Sequence, residues 1–389
     1  MNNLFIIFFI LQLTLIASFG SSDLLTIIGN VFDGKLNEEE ARKLAQEISL
    51  IKEVYDIDIN EEQIRKIADD VAQINAQNGG FWNAKVNYHS LLPENEQKRI
   101  CGVGNNERRI KGEGNGTKTE FPIFEKLSST EDCTIEIEFD VRDAWPDCVY
   151  FFNYIQNQGR CGSCWAVSTA SAYTDRVCIE RSKNGITTPS DDPFYHFSST
   201  DVMSCSIDYD GCEGGWPSKA WQWIEINGLC TGTDNVWKNG CKPYPYAPKE
   251  NAQQVQCESK CNENWNTEYS EDKKFANSAA FLINDNATEE AIKEELQTNG
   301  PLVAAFMVYK DFMSYKSGKT PNSTEIGGHA VVILGYGTQK CNGKEMPFWI
   351  VKNSWGTDWG DEGFFKIRRG GNECGFEKDE ISFGIPTVL

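Results

Sequence analysis

Histidine is almost missing from this chain. Three occur among 389 residues: His89, His196 and His329. Any step that needs an imidazole has three candidates, and a histidine-rich metal centre has too few ligands. Basic residues are short as well. Lys and Arg number 37 against 57 Asp and Glu, for a formal charge of −20 and a pI near 4.7. Nucleic-acid binding needs a basic footprint, so that class of partner is excluded. Long apolar runs are confined to the start. Residues 4–16 are broken only by Gln12 and Thr14, then Ala17, Ser18 and Gly20 follow. That stretch is too short for a comfortable membrane span and predicts a secretory signal peptide over 1–20, though its first residues carry no side-chain charge. No later run is long and apolar enough to cross a membrane, and no internal repeat is present.

Cysteine, by contrast, is plentiful. Fourteen cysteines in a secreted chain imply disulfides, and an oxidising route argues against a zinc cluster. Sequons at Asn115, Asn286 and Asn322 fit exposed, glycosylated loops. The expected location is the secretory pathway, ending in a lysosome, an acidic vacuole or the exterior.

Asn37-x-x-Glu40 and Asn60-x-x-Gln63 each read as a helix start with a reciprocal cap, and apolar residues follow both at helical spacing. This predicts a helical region over 37–75. A stretch rich in Gly, Asn, Lys and Glu, 103–134, reads as an exposed linker open to proteolysis. Its Gly112, Gly114 and Gly116 lack the flanking strand and helix of a phosphate loop. Tryptophan and cysteine become frequent from 135, where a compact catalytic unit is expected to begin. Within it, 163–179 reads as a helix. Asn286-x-x-Glu289 starts another that stops at Gly300-Pro301, and 330–336, 348–352 and 364–367 read as strands. The class is α+β, helical in front and sheet-rich behind.

Cys164 stands just before the first of those helices, in Gln158-Gly159-Arg160-Cys161-Gly162-Ser163-Cys164-Trp165. A thiol becomes nucleophilic when a helix N-terminus and an imidazolium lower its pKa. His329 is the best placed base, because it follows Gly327-Gly328 and opens an apolar strand. His89 lies before the linker and His196 in an apolar loop, so both read as structural. The base needs an orienting partner, which the side-chain carbonyl of Asn353 supplies, with Trp355 as cover. The Gln158 amide and the Cys164 backbone N–H are the candidate oxyanion donors.

Gln158, Cys161-Gly162-Ser163-Cys164-Trp165, Gly327-Gly328-His329 and Asn353-Ser354-Trp355-Gly356 stand in the order of the papain family, which this chain resembles. The likeness is closest to the cathepsin B group, through stretches such as Gly211-Cys212-Glu213-Gly214-Gly215-Trp216-Pro217 and Gly240-Cys241-Lys242-Pro243-Tyr244. The resemblance implies a two-domain papain-like fold over 135–389, with a helical left part (148–260), a right part built as an antiparallel β-barrel-like sheet (261–389), and the cleft between them. It implies a propeptide over 21–134, whose segment 76–102 blocks the cleft as an intramolecular inhibitor, with a maturation cut between 126 and 135. It implies disulfides Cys148–Cys178, Cys161–Cys212, Cys205–Cys257 and Cys241–Cys261. Cys101, Cys133, Cys230, Cys341 and Cys374 remain unassigned. Gly214 and Gly215 would bind the substrate backbone, Trp355 would line the cleft, and Asp379 or its neighbour Glu380 would stand at the second specificity pocket and admit arginine. The expected partners are protein and peptide substrates and cystatin-type inhibitors. No cofactor or metal is implied, and a monomer is expected.

The chain departs from the group at 245–256. The occluding loop there is short and has no histidine, and it lacks its own disulfide. This predicts an endopeptidase with an open leaving-group side. The alternatives are a dipeptide-trimming exopeptidase and an inactive protease-shaped binding protein.

Overall fold

The structure is a computed structural model. It describes residues 38–55, 57, 59–77, 83–104, 133–206, 211–250, 252–253, 255–317, 324–341 and 343–387. The expected signal peptide over 1–20, Asn37, Asn115, Asn322 and most of the expected linker lie outside the described residues.

Helices α1 (Glu38–Tyr55) and α2 (Glu61–Gln77) come first. The start of α2 is fixed reciprocally: Gln63 N–H donates to Asn60 Oδ1 (2.9 Å) and Asn60 N–H to Gln63 Oε1 (3.0 Å). Their apolar stripes, Leu44, Ile48, Ile64 and Ala68 among them, are buried. A short strand β1 (Asn83–Ala84) follows, then α3 (Tyr88–Leu91) and α4 (Glu94–Arg99). Next come strand β2 (Cys133–Asp140) and the long buried helix α5 (Cys164–Lys183), with α6 (Ser199–Cys205) and α7 (Pro217–Asn227) packed beside it.

The rear half comprises β3 (Ala276–Leu282), α8 (Glu289–Asn299), β4 (Leu302–Tyr309), β5 (Tyr315–Ser317), β6 (Glu325–Cys341), β7 (Lys344–Lys352), β8 (Phe364–Arg368) and β9 (Glu380–Pro386). Seven strands form one antiparallel sheet in the order β3-β9-β4-β6-β7-β8, with β2 added against β6. β6 is the spine, pairing β4 along its first half and β2 along its second. A Cβ on Gly335 would lie 2.4 Å from Phe139 O, so only glycine lets β2 close on β6 there.

Two expectations shift. α8 is capped by Thr288, whose hydroxyl accepts from Ala291 N–H at 3.1 Å, rather than by Asn286. Asn286 lies in the exposed turn before it. The helical front also lends a strand to the rear sheet, because β2 belongs there. That strand explains two unassigned cysteines, since Cys133 and Cys341 are register partners and form a disulfide. Cys148–Cys178, Cys161–Cys212, Cys205–Cys257 and Cys241–Cys261 are the other four bonds.

α5 is joined to the sheet by a buried ion pair. Lys352 Nζ of β7 lies 2.7 Å from Asp175 Oδ2 of α5, and both are almost wholly enclosed. Burial pushes the Asp175 carboxyl up to about 6 in spite of that partner, and pulls Lys352 down. Both charges lose hydration, so the pair fixes where α5 sits on β7 more than it adds net stability.

Candidate active site

Cys164 is the first residue of α5, with Ser163 at the N-cap position. The helix start aims backbone N–H groups at the sulfur, and the hydrogen-bonding amides around it belong to Ala330, Gly102, Trp165 and Cys164 itself. Ala330 follows His329 in β6, so strand and helix meet at the thiol.

His329 is fully buried. Its Nε2 lies 2.8 Å from Asn353 Oδ1, and the same Oδ1 accepts from Ser354 N–H at 2.8 Å. That oxygen only accepts, so Nε2 carries the hydrogen and Nδ1 is left as the base; Nδ1 has no hydrogen-bond partner among the described residues. Trp355 lies 4.7 Å from the imidazole, ring centre to ring centre, and shields the bond to Asn353.

Gln158 is locked from both ends. Its Oε1 accepts from Ser354 Oγ (2.6 Å), and its backbone N–H donates to Ser354 O (2.9 Å). Its Nε2 donates to Cys161 O (2.7 Å) and to Ile100 O (2.8 Å). Ile100 belongs to the N-terminal segment, so a carbonyl of the chain's own leader occupies the candidate oxyanion donor.

That segment runs the length of the cleft. β1 pairs with β5, and α3 is tied down by Asn87 Nδ2 donating to Met313 O at 2.7 Å. Gly102 N–H donates to Cys164 Sγ (3.3 Å). A Cβ on Gly102 would fall 1.7 Å from Gly162 O, which accounts for glycine where the segment crosses the nucleophile. Val103 then bridges Gly215 in parallel and Gly328 antiparallel, and Gly215 N–H donates to Gly102 O (2.9 Å). The Cys161–Cys212 bond holds the nucleophile loop beside Gly214-Gly215.

Under this cover burial favours the neutral forms of Cys164 and His329. Burial pushes the Cys164 thiol up to about 11, against the lowering pull of the four amides. Burial also pulls His329 down to about 4, with the Asn353 bond opposing.

Sequence reasoning placed the other two histidines outside the site. His196 does sit in an aromatic cluster with Phe151, Tyr154 and Trp237. His89 lies over the site: its ring stacks on Trp355 at 5.0 Å, and it is pulled down to about 3 by burial and by His329. It is part of the N-terminal segment that covers the site, and no local pattern around it signals that position.

The two acids expected near the second pocket stand in different surroundings. Asp379 is exposed, with its carboxylate against Gly375. Glu380, one residue on and facing the other way in β9, is buried and register-paired with Ala305. Its oxygens accept from Ser218 N–H (2.8 Å) and Ser218 Oγ (3.1 Å), just beyond Gly214-Gly215. Among the described residues, Cys230, Cys241 and Asp272 come close enough to suggest a metal. Cys241 is already oxidised with Cys261, and Asp272 Oδ2 accepts from Thr231 N–H (2.6 Å) and Oγ1 (2.8 Å). Two of the three donors are thus already engaged by the protein, which leaves Cys230 alone.

A thiol fed by a helix, an imidazole oriented by an amide, and a leader laid across both define a latent thiol hydrolase. Residues 135–383 match the family described as papain family cysteine protease. Cathepsin B-like cysteine proteinase 4 of Caenorhabditis elegans is 40% identical over 273 residues, covering 66% of this chain and 76% of the relative. Cathepsin B-like cysteine proteinase 6 of the same organism is 36% identical over 334 residues, covering 80% and 81%. The solved procathepsin B S9 from Trypanosoma congolense superposes with a TM-score of 0.62 at 31% identity, covering 82% of this chain and 97% of its own. The chain belongs to the papain family of cysteine proteases, within its cathepsin B-like group. It is a cysteine protease made as a zymogen.

Proposed function

We propose that Cys164 is the nucleophile and His329 the general base and acid, with Asn353 orienting His329. Gln158 Nε2 and the Cys164 backbone N–H receive the oxyanion. Attack of the sulfur on the scissile carbonyl forms an acyl-enzyme as His329 hands its proton to the leaving amine; water, deprotonated by His329, then releases the acid. The observation that carries this reading is the Gln158–Ile100 hydrogen bond. A main-chain carbonyl already rests on the donor beside the thiol, with Gly102 N–H on the sulfur. The segment pairs in parallel with Gly215. A peptide that lay in the opposite sense would pair antiparallel there, as an added strand.

Internal cleavage is the mode we infer. Segment 245–256 carries no histidine, and the disulfides on either side of it, Cys205–Cys257 and Cys241–Cys261, lie outside it rather than stiffening its tip. Its exposed cation, Lys249, reads as a solvated lysine. With the mature enzyme, internally quenched peptides blocked at both ends are expected to be cleaved at least about tenfold better than matched substrates losing a C-terminal dipeptide. The reverse ranking would assign exopeptidase activity instead.

Glu380 is our candidate for the acid that admits arginine at the second residue before the scissile bond. Glu380→Ala is expected to lower kcat/KM for arginine there by about tenfold while sparing leucine, as for one charge-assisted contact. An unchanged arginine-to-leucine ratio, or the same loss from Asp379→Ala, would move the role elsewhere.

Of the expected range 126–135 for the maturation cut, we infer the part before Cys133, since a cut beyond it would enter β2. Entry into the secretory pathway is supported by the five disulfides. No helix among the described residues is long and apolar enough to cross a membrane.

A further inference from the structure

Arg160 stands on the nucleophile loop, between Gln158 and the Cys161 that is bonded to Cys212. Its guanidinium is turned toward the leader: Nε donates to Tyr88 Oη at 2.8 Å, and Cζ lies 5.9 Å from the Tyr88 ring centre. Tyr88 Oη in turn donates to Pro248 O in the short loop (3.3 Å). The next residue, His89, lies on Trp355, which lies on His329. Arg160, Pro248 and Trp355 are thus joined by one two-residue piece of the leader.

The direction of the cleft says which side this is. Gly215 and Gly328 hold the backbone on one side of Cys164. His329 must protonate the departing amine, so the leaving group lies on its other side, toward Trp355. His89 covers the ground over Trp355 that the first leaving-side residue needs, and Tyr88 the ground beyond. When the leader departs, Tyr88 leaves the Arg160 guanidinium, which is fixed to a loop held by a disulfide and by Gly159. The Gly159 backbone packs so tightly that a Cβ would lie 2.8 Å from Ala247 O.

Resting on the nucleophile and base assigned above, we propose that Arg160 is a specificity-determining residue that binds a carboxylate on the second leaving-side residue of the substrate. The planar guanidinium offers a two-pronged set of N–H donors that matches a carboxylate and does not lose its charge in acid. Two sources present that group: the side chain of Asp or Glu in an internal sequence, and the terminal carboxylate of a departing dipeptide.

The test uses mature enzyme and quenched peptides that vary at that one residue: Glu, Gln and Lys with blocked ends, and a chain ending there free or amidated. Wild type is expected to prefer Glu over Gln by about tenfold and to disfavour Lys, with the preference falling as salt is raised. In Arg160→Gln the Glu-to-Gln ratio falls to about one, and Arg160→Lys restores part of it. A preference for the free over the amidated terminus, lost in the same variant, assigns the main-chain carboxylate as the source. Equal wild-type rates for Glu, Gln and Lys and for both termini would overturn the proposal, as would an Arg160→Gln loss that falls equally on all substrates. Failure of wild type to cleave any peptide would instead remove the nucleophile and base assignment on which this rests.

Discussion

Cys164→Ala is expected to lower kcat/KM on a quenched peptide by on the order of 10⁵-fold, with the fold and all five disulfides retained. Loss of a nucleophile in a comparable acyl-transfer machine removes nearly the whole triad contribution, because base, orienter and oxyanion donors act only through the covalent step. The sulfur is enclosed, but the substitution leaves a space of only one atom, so the stability cost stays near about 1 kcal/mol. A second readout separates chemistry from folding. In the proform the thiol sits at about 11 with the Gly102 amide on it. Iodoacetamide should therefore label Cys164 slowly until the leader is removed, then rapidly. A Cys164→Ala enzyme that kept activity within tenfold of wild type, or a Cys164 labelled equally fast in both forms, would refute the assignment.

Acid is expected to loosen the leader through two histidines. His89 and His329 both pack on Trp355, His89 from the leader and His329 from the enzyme. Tyr88 stands beside His89, and Arg160 lies beyond Tyr88. In the closed form the two rings are held neutral, at about 3 and about 4. Once the cleft opens, both return toward the ordinary value of about 6.5. The open form then binds more protons than the closed one, so closure is at full strength above pH ~6.5 and weakens as pH falls through that value toward 4. Each histidine contributes about tenfold per pH unit in that window.

Two such groups weaken closure by on the order of 10³-fold between pH ~6.5 and ~4.5, and His89→Phe should remove about half of the logarithmic slope. The variant keeps the other ties between leader and enzyme, including Tyr55 Oη donating to Asp358 (2.6 Å) and the Lys310–Asp70 pair (3.5 Å). The comparison therefore isolates one ring. The measurement is the rate of leader release against pH, followed by active-site labelling. A His89→Phe profile superimposable on wild type would assign the pH response to other groups.

What the chain itself determined is local. Cys164 before a run of helix formers, Gln158 six residues earlier, His329 opening an apolar strand and Asn353 in a glycine-rounded turn could all be read from adjacent residues and their spacing. So could the reciprocal cap at Asn60 and Gln63, whose partners are three residues apart. The cap of α8 stands two residues beyond Asn286, because Asn286 and Thr288 both precede a glutamate and only the backbone selects between them.

The rest belonged to tertiary structure. Cys133 and Cys341 are 208 residues apart and meet because β2 joins the sheet along β6. Asp379 and Glu380 are neighbours with the same charge, and where the turn ends and β9 begins decides which of them is buried against Ser218. His89 and Arg160 are unremarkable in sequence and take on meaning where the leader crosses Trp355. Short-range geometry follows from residue type and spacing. Which groups share a cleft depends on how a sheet closes and where a leader lies, and many distant contacts set those jointly.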